Sequence, residues 1–167
     1  MTAITEFFEN TKELKKIKES KNNSIWKNSK FEDFKDLSSR SKGAKAEKIV
    51  EEIMSHSYGH AVSKPLYDGD RSIDGYEVEI KASTCWEENI DSFTWQQIRS
   101  KQKYDRIIFV GINPNDAKMW WATKEDLEKH VFCSDYYRQH GGKKGGQDLY
   151  WLQGCSKQDW FREIETF

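Results

Sequence analysis

Residues 67–84 read Tyr67-Asp68-Gly69-Asp70-Arg71-Ser72-Ile73-Asp74-Gly75-Tyr76-Glu77-Val78-Glu79-Ile80-Lys81-Ala82-Ser83-Thr84. The pair Asp74-Gly75 has the composition a two-residue type I′ turn demands, and apolar and polar residues alternate on its C-terminal side from Tyr76 to Ser83. A two-residue loop fixes which positions face each other. Ile73 is expected opposite Tyr76, Ser72 opposite Glu77, Arg71 opposite Val78, Asp70 opposite Glu79 and Asp68 opposite Lys81. The period of two places Glu77, Glu79 and Lys81 on one face and sends Val78 and Ile80 into the core.

That register sets two carboxylates side by side, and directly opposed like charges destabilise a sheet by up to about 1 kcal/mol. A hard divalent cation reverses the sign, because Mg²⁺ takes carboxylate and carbonyl oxygens and keeps water or phosphate for the rest of its shell. Asp70, Glu79 and the Ile80 carbonyl form a candidate metal site. Lys81 follows on the same side, placed to orient a water or hold a phosphate oxygen. Two carboxylates, a lysine and a metal suit phosphodiester hydrolysis. The competing reading is an ordinary solvent-facing strand, since E-x-K by itself is a weak signal.

Working outward, Ala46, Ile49, Val50, Ile53 and Met54 form one stripe at the 3.6-residue period, predicting a helix over Gly43–Ser55. Glu47 lies at the margin of that stripe, where it can reach toward the sheet and complete a metal shell. Upstream, an amphipathic helix is expected over 2–19, a polar connection over Lys21–Ser29 and a short helix over Phe31–Leu37. Further strands are expected at His60–Ser63, Tyr67–Ile73, Arg106–Ile112, Lys118–Ala122 and Leu149–Leu152. Helices are expected over Ser92–Lys103, from Thr123 through His130 behind a capping box, and from Ser156 to the end. The element order is α/β or α+β.

Composition bounds the function. The 167 residues suit one domain. A charged fraction of 33% with 7 Trp describes a polar chain that nevertheless has the means to fold. No apolar run approaches the roughly 20 residues of a membrane span, and Met1–Phe8 lacks the features of a secretory signal. Three widely spaced cysteines fit reduced thiols, so a cytoplasmic protein is expected. The net charge of -1 hides an asymmetry, with twelve Lys or Arg against six Asp or Glu between Lys12 and Lys48. One basic face for a polyanion is the sharper reading of this, and a solvated helical surface the plainer one. Walker A, G-x-S-x-G and dinucleotide glycine motifs are absent from the sequence. His56 and His60 have zinc-pair spacing without the intervening Glu.

Asp70, Glu79-Ile80-Lys81 and Glu47, within a helix, three strands, helix, strand order from Gly43 to Ile112, resemble the PD-(D/E)XK nuclease superfamily and its restriction-endonuclease-like members. The resemblance implies a mixed central sheet flanked by helices. It divides a single nuclease domain into a basic helical extension (1–42), a catalytic core (43–112) and C-terminal strands and helices (113–167). It further implies Mg²⁺, with Mn²⁺ as its substitute, held by Asp70 and Glu79, water positioned by Lys81, and Glu47 assisting. Gly69 stands where the family often has proline, which leaves Asp68 and Asp74 as rival first acids, the latter expected to be consumed by the turn.

Gln97 and Arg99, on the helix after the E-x-K strand, are candidate contacts to DNA. So are His140, Lys143 and Lys144 in the loop His140–Gly146, whose glycines allow close backbone approach. Trp120 and Trp121 point to opposite faces of a strand, leaving at most one free to stack on a base. The expected activity is Mg²⁺-dependent hydrolysis of double-stranded DNA by a site-specific type II restriction endonuclease. A nicking repair, junction-resolving or RNA-directed nuclease, or a non-catalytic nucleic-acid-binding module, is the alternative. Cutting both strands asks for two active sites, which a homodimer supplies.

Overall fold

The computed structural model of the chain describes residues 24–139 and 148–167. The expected helix over 2–19 and the loop that carries His140, Lys143 and Lys144 lie outside the described residues. The protein is a mixed α/β structure with a mostly antiparallel sheet and few helices.

The hairpin forms in the register its turn dictates. Asp74 and Gly75 both take positive φ, 50° and 84°, as a type I′ turn requires. Strand β2 (Arg71–Ile73) pairs antiparallel with β3 (Tyr76–Thr84), Ile73 against Tyr76, Ser72 against Glu77 and Arg71 against Val78. Only the last three residues of the strand expected over Tyr67–Ile73 pair, so the expected pairings of Asp70 with Glu79 and of Asp68 with Lys81 do not form. The strand expected at His60–Ser63 is reduced to β1 (Val62–Ser63), which adds to β2 with Val62 against Ile73. On the other side of β3 lies β5 (Arg106–Ile112), parallel to it, then β6 (Ala117–Thr123) and β8 (Arg162–Glu163). The six-stranded order is β1-β2-β3-β5-β6-β8.

A short helix α1 (Glu32–Lys35) precedes α2 (Ser39–Glu52), which runs on into a π-helical turn over Ile53–Ser57. The helix begins ahead of the expected Gly43 because Ser38, in an extended conformation, accepts a hydrogen bond from the Ser41 N–H at 3.2 Å and so caps it. Ala46, Val50 and Met54 are fully buried, and α2 packs on β3. Helix α3 (Lys124–Leu127) opens with the expected capping box, Thr123 and Asp126 each holding the other's backbone N–H.

Two expected helices are replaced. Over Ser92–Lys103 the chain forms β4 (Phe93–Arg99), which pairs with β7 (Leu149–Cys155) in a separate two-stranded sheet. Trp95 and Ile98 stand three apart, a helical spacing, yet the ladder carries an irregularity between them that lets both face the core from a strand. The closing helix from Ser156 gives way to β8 and a 3₁₀ turn over Ile164–Thr166. Phe161 stacks on Phe109 with ring centroids 4.5 Å apart, and the Trp121 indole donates to the Glu163 carbonyl at 3.1 Å. These contacts tie the segment to the sheet edge. Trp120 and Trp121 are both buried, so neither is free to stack on a base.

Strand β4 crosses the sheet face that carries Phe109, Gly111 and Trp120. Trp95 lies 5.2 Å from Phe109 and 6.2 Å from Trp120 between ring centroids, and its indole donates to the Val110 carbonyl at 3.1 Å. Phe93 covers Gly111 so closely that a Cβ there would stand 2.8 Å from the ring. Gly111→Ala should therefore lower the unfolding free energy by about 1–3 kcal/mol. Gly43→Ala, inside α2 where an added Cβ meets nothing within 4 Å, should raise it by about 0.5–1 kcal/mol. Urea unfolding of the two variants beside the parent checks both signs.

Candidate functional site

In a strand the backbone groups of alternate residues point to opposite neighbours. Those of Val78 and Ile80 point toward β2. The Asp70 N–H donates to the Val78 carbonyl at 2.8 Å, and the Ile80 N–H donates to Asp70 Oδ2, also at 2.8 Å. The ladder thus ends at Arg71, and the Asp70 carboxylate stands in for the next backbone acceptor. The Ile80 carbonyl shares that edge of β3 and lies beyond the end of β2. A cavity of about 610 Å³ opens there, lined by Glu47, Asp70, Ile80 and Lys81, by Ser39, Arg40 and Lys42 from the start of α2, and by Gln96 and Gln97 from β4.

Glu79 is 3% exposed. Its two oxygens are engaged, Oε1 by the Lys81 ammonium and Oε2 by Gln102 Nε2 at 2.6 Å. The same Gln102 nitrogen also donates to the Asp68 carbonyl, and the Gln102 carbonyl accepts from Lys124 Nζ at 2.5 Å. Burial pushes the Glu79 carboxyl above its ordinary range and the nearby Asp70 charge adds to the rise, while Lys81 and Gln102 oppose it. The balance remains upward.

Glu47 lies across the cavity, with Arg71 Nη1 at 3.0 Å from its Oε2. Arg71 also binds Glu51 through Nε at 3.0 Å and the Asp70 carbonyl through Nη1 at 2.6 Å. One guanidinium therefore ties α2 to the residue that begins the hairpin. The rival acids are spoken for. Asp74 accepts from His60 at 2.6 Å and from the Ala61 N–H at 2.8 Å, consumed at the turn as expected. Asp68 accepts from the Lys103 N–H at 3.3 Å. Glu77, expected on the exposed face with Glu79, is buried and accepts from the N–H groups of Leu66 and Tyr67 at 2.8 and 3.1 Å. It shapes the bend that delivers Asp70, and the solvent-facing reading of this strand face does not hold.

Of the sequence-derived candidates, Glu47, Asp70, Ile80, Lys81 and Gln97 line this cavity, while Glu79 does not and adjoins it through its ion pair with Lys81. Arg99 does not line the cavity; it sits at the far end of β4, paired with Leu149. Gln102 and Gln96 were not singled out by sequence. Gln102 lies in the polar run Lys101-Gln102-Lys103, which carries no pattern, and it meets Glu79 only through the tertiary fold. Among the described residues no group of three His, Cys, Asp or Glu forms a metal cluster. The oxygen donors at this point are two carboxylates and a backbone carbonyl, a set whose chemistry fits a hard cation that keeps several waters. No family model, curated protein or solved structure matches the chain.

The buried carboxylate has a measurable signature. Glu79 holds its proton in the native state at pH values where the unfolded chain, near the ordinary glutamate value of 4.5, has released it. Its contribution to stability is thus complete below that value and is lost as pH rises through the native pKa. Carbon-13 NMR of the glutamate carboxyls should show one residue titrating above the others. Lys81→Met should raise that midpoint further, and Asp70→Asn should lower it.

Proposed function

We propose that this chain is a Mg²⁺-dependent endonuclease that hydrolyses DNA phosphodiester bonds, of the restriction type, with a restriction-endonuclease-like sheet and a cytoplasmic setting. The observation that carries the reading is that Asp70 and Lys81 line a cavity where β2 stops and the edge of β3 opens, with the buried Glu79 paired to Lys81. A structural role accounts poorly for this set. A carboxylate as buried as Glu79 is costly unless it is paired, and its pairing with Lys81 leaves the carboxyl still raised.

Asp70, Glu79 and the Ile80 carbonyl would hold Mg²⁺. Bound there, the ion would polarise a phosphoryl oxygen and lower the pKa of a water. Lys81, released from Glu79 Oε1, would donate to the attacking water or to a phosphate oxygen. Gln102 keeps Glu79 from rotating away, and Arg71 holds Glu47 at the wall. Arg40 and Lys42, at the mouth beside the start of α2, would neutralise backbone phosphates, so binding should weaken steeply with salt. Double-stranded DNA is the proposed partner. Cutting both strands would be shared between the subunits of a homodimer.

Incubation with unmethylated phage DNA and Mg²⁺ tests the reading. Cleavage is expected with Mg²⁺ or Mn²⁺ and abolished by EDTA. Asp70→Ala, Glu79→Ala and Lys81→Ala should each lose about 100-fold or more in rate. Plasmid nicking without linearisation would select a nicking enzyme, and cleavage of RNA alone an RNA-directed one. Binding that persists in EDTA and in Lys81→Ala, with DNA left intact, would make the chain a non-catalytic binder.

A further inference from the structure

One part of the cavity wall is built by an irregularity in β4. The ladder pairs Trp95 with Leu152 and Ile98 with Tyr150, so Gln96 and Gln97 together oppose the single residue Trp151. Such a two-against-one bulge re-aims side chains and is common beside functional sites. Here it does two things. Trp95 and Ile98 both reach the core, each 0% exposed, and the two glutamines between them are both left exposed on the cavity wall. Strict alternation would have buried one of them.

The arrangement is held against local preference. Gln97 has φ of 56°, a left-handed conformation that side chains other than Gly, Asn and Asp seldom adopt. Its N–H donates to Gln139 Oε1 at 2.9 Å, a clasp from a residue 42 positions away. Yet neither the Gln96 nor the Gln97 side-chain amide has a hydrogen-bond partner among the described residues. The bulge serves packing by burying Trp95 and Ile98, but packing does not call for the two unengaged amides that it presents to a cavity shared with Asp70 and Lys81. Backbone strain of this kind persists where the surroundings over-determine it, and it clusters at ligand sites.

We infer that the Gln96-Gln97 bulge is the base-reading element of this site, its neutral amides engaging base edges of the strand whose phosphate lies at Asp70 and Lys81. A side-chain amide carries a donor and an acceptor side by side, which matches N6 and N7 of adenine in the major groove. It has no charge to set against a phosphate. The roles thereby separate: Arg40 and Lys42 meet the backbone, and the bulge meets the bases. The inference rests on the nucleic-acid reading of the cavity, but it does not require that the chain cut what it binds.

The experiment uses the full chain, a duplex library of random sequence and Ca²⁺. Selected duplexes are sequenced, and affinity for the enriched sequence is followed across a salt series. Wild type should enrich one motif. The double variant Gln96→Ala with Gln97→Gly keeps the backbone at ease, since glycine accepts the positive φ. It should bind that sequence about tenfold or more weakly and lose base preference at one or two adjacent positions. The slope of log affinity against log salt should not change, because no charge is removed. Arg40→Ala with Lys42→Ala should flatten the slope and leave the motif intact.

An unchanged motif and affinity in the glutamine variant would overturn the inference, as would a uniform loss with a flattened slope or the absence of any enriched motif in wild type. Cleavage in Mg²⁺, and its loss in Glu79→Ala, are scored separately. Cleavage with an unchanged motif sinks the base reader and spares the nuclease. A lost base preference without cleavage does the reverse.

Discussion

The hydrogen bond from the Ile80 N–H to the Asp70 carboxylate is the hinge of the whole arrangement. It lies where a sheet would ordinarily continue backbone to backbone, and it ends the β2–β3 ladder with an acidic side chain instead. Three consequences follow from this one substitution. Asp70 is pinned beside Glu79 although no further backbone pair sets the register. The Ile80 carbonyl is left on an edge that no strand covers. The segment before Asp70 is free to bend, and Glu77 gathers the Leu66 and Tyr67 N–H groups to stabilise that bend. Gly69 fits the same geometry, since a Cβ there would stand 3.0 Å from the Val78 carbonyl oxygen and 3.1 Å from its nitrogen.

The electrostatics run against stability. Two acids are neighbours here, and the almost fully buried one, Glu79, is held by a lysine and an amide. Local rules would place an apolar residue at Glu79, as they do on the other face with Val78 and Ile80. Conflicts of this kind between local preference and the global fold are expected at functional sites. The surroundings are built to sustain it. Arg71 spans Glu47, Glu51 and the Asp70 carbonyl, so α2 and the hairpin cannot drift apart without breaking a partly buried guanidinium network. Lys124 secures the backbone of Gln102, which fixes the far side of Glu79 from a different part of the chain.

Much of this was legible in the sequence because it is local. The first three pairs of the hairpin follow from Asp74-Gly75 alone, β5 coincides with its apolar run at Arg106–Ile112, and the Thr123–Asp126 box marks the start of α3. What failed depended on tertiary packing. The interval from Trp95 to Ile98 imitates a helical step only because a bulge adds a residue between two core positions, and nothing in the segment itself announces a bulge. Similarly, Trp160, Phe161 and Ile164 have the spacing of a helix face, but their sites lie on the sheet, with Phe161 against Phe109. Gln102 was invisible because its partner lies 23 residues away. At the site, the acids and the lysine could be read from the strand, whereas the groups that position them could not.

The cavity itself is a consequence of strand length. Strand β3 has nine residues and β2 only three, so the C-terminal half of β3 is paired on its β5 side and bare on the other. An open edge of this kind invites pairing with another chain, and proteins protect it with charge or by covering it. Here the start of α2 and the β4 bulge approach from two sides without closing over it, and Lys81 and Asp70 supply the charge. The edge also lies at a change of direction in the sheet, since β3 is antiparallel to β2 and parallel to β5. The protection that keeps the edge from aggregating and the groups that would act on a substrate are therefore the same residues. One more backbone pair between β2 and β3 would cover the Ile80 carbonyl that the short β2 leaves bare.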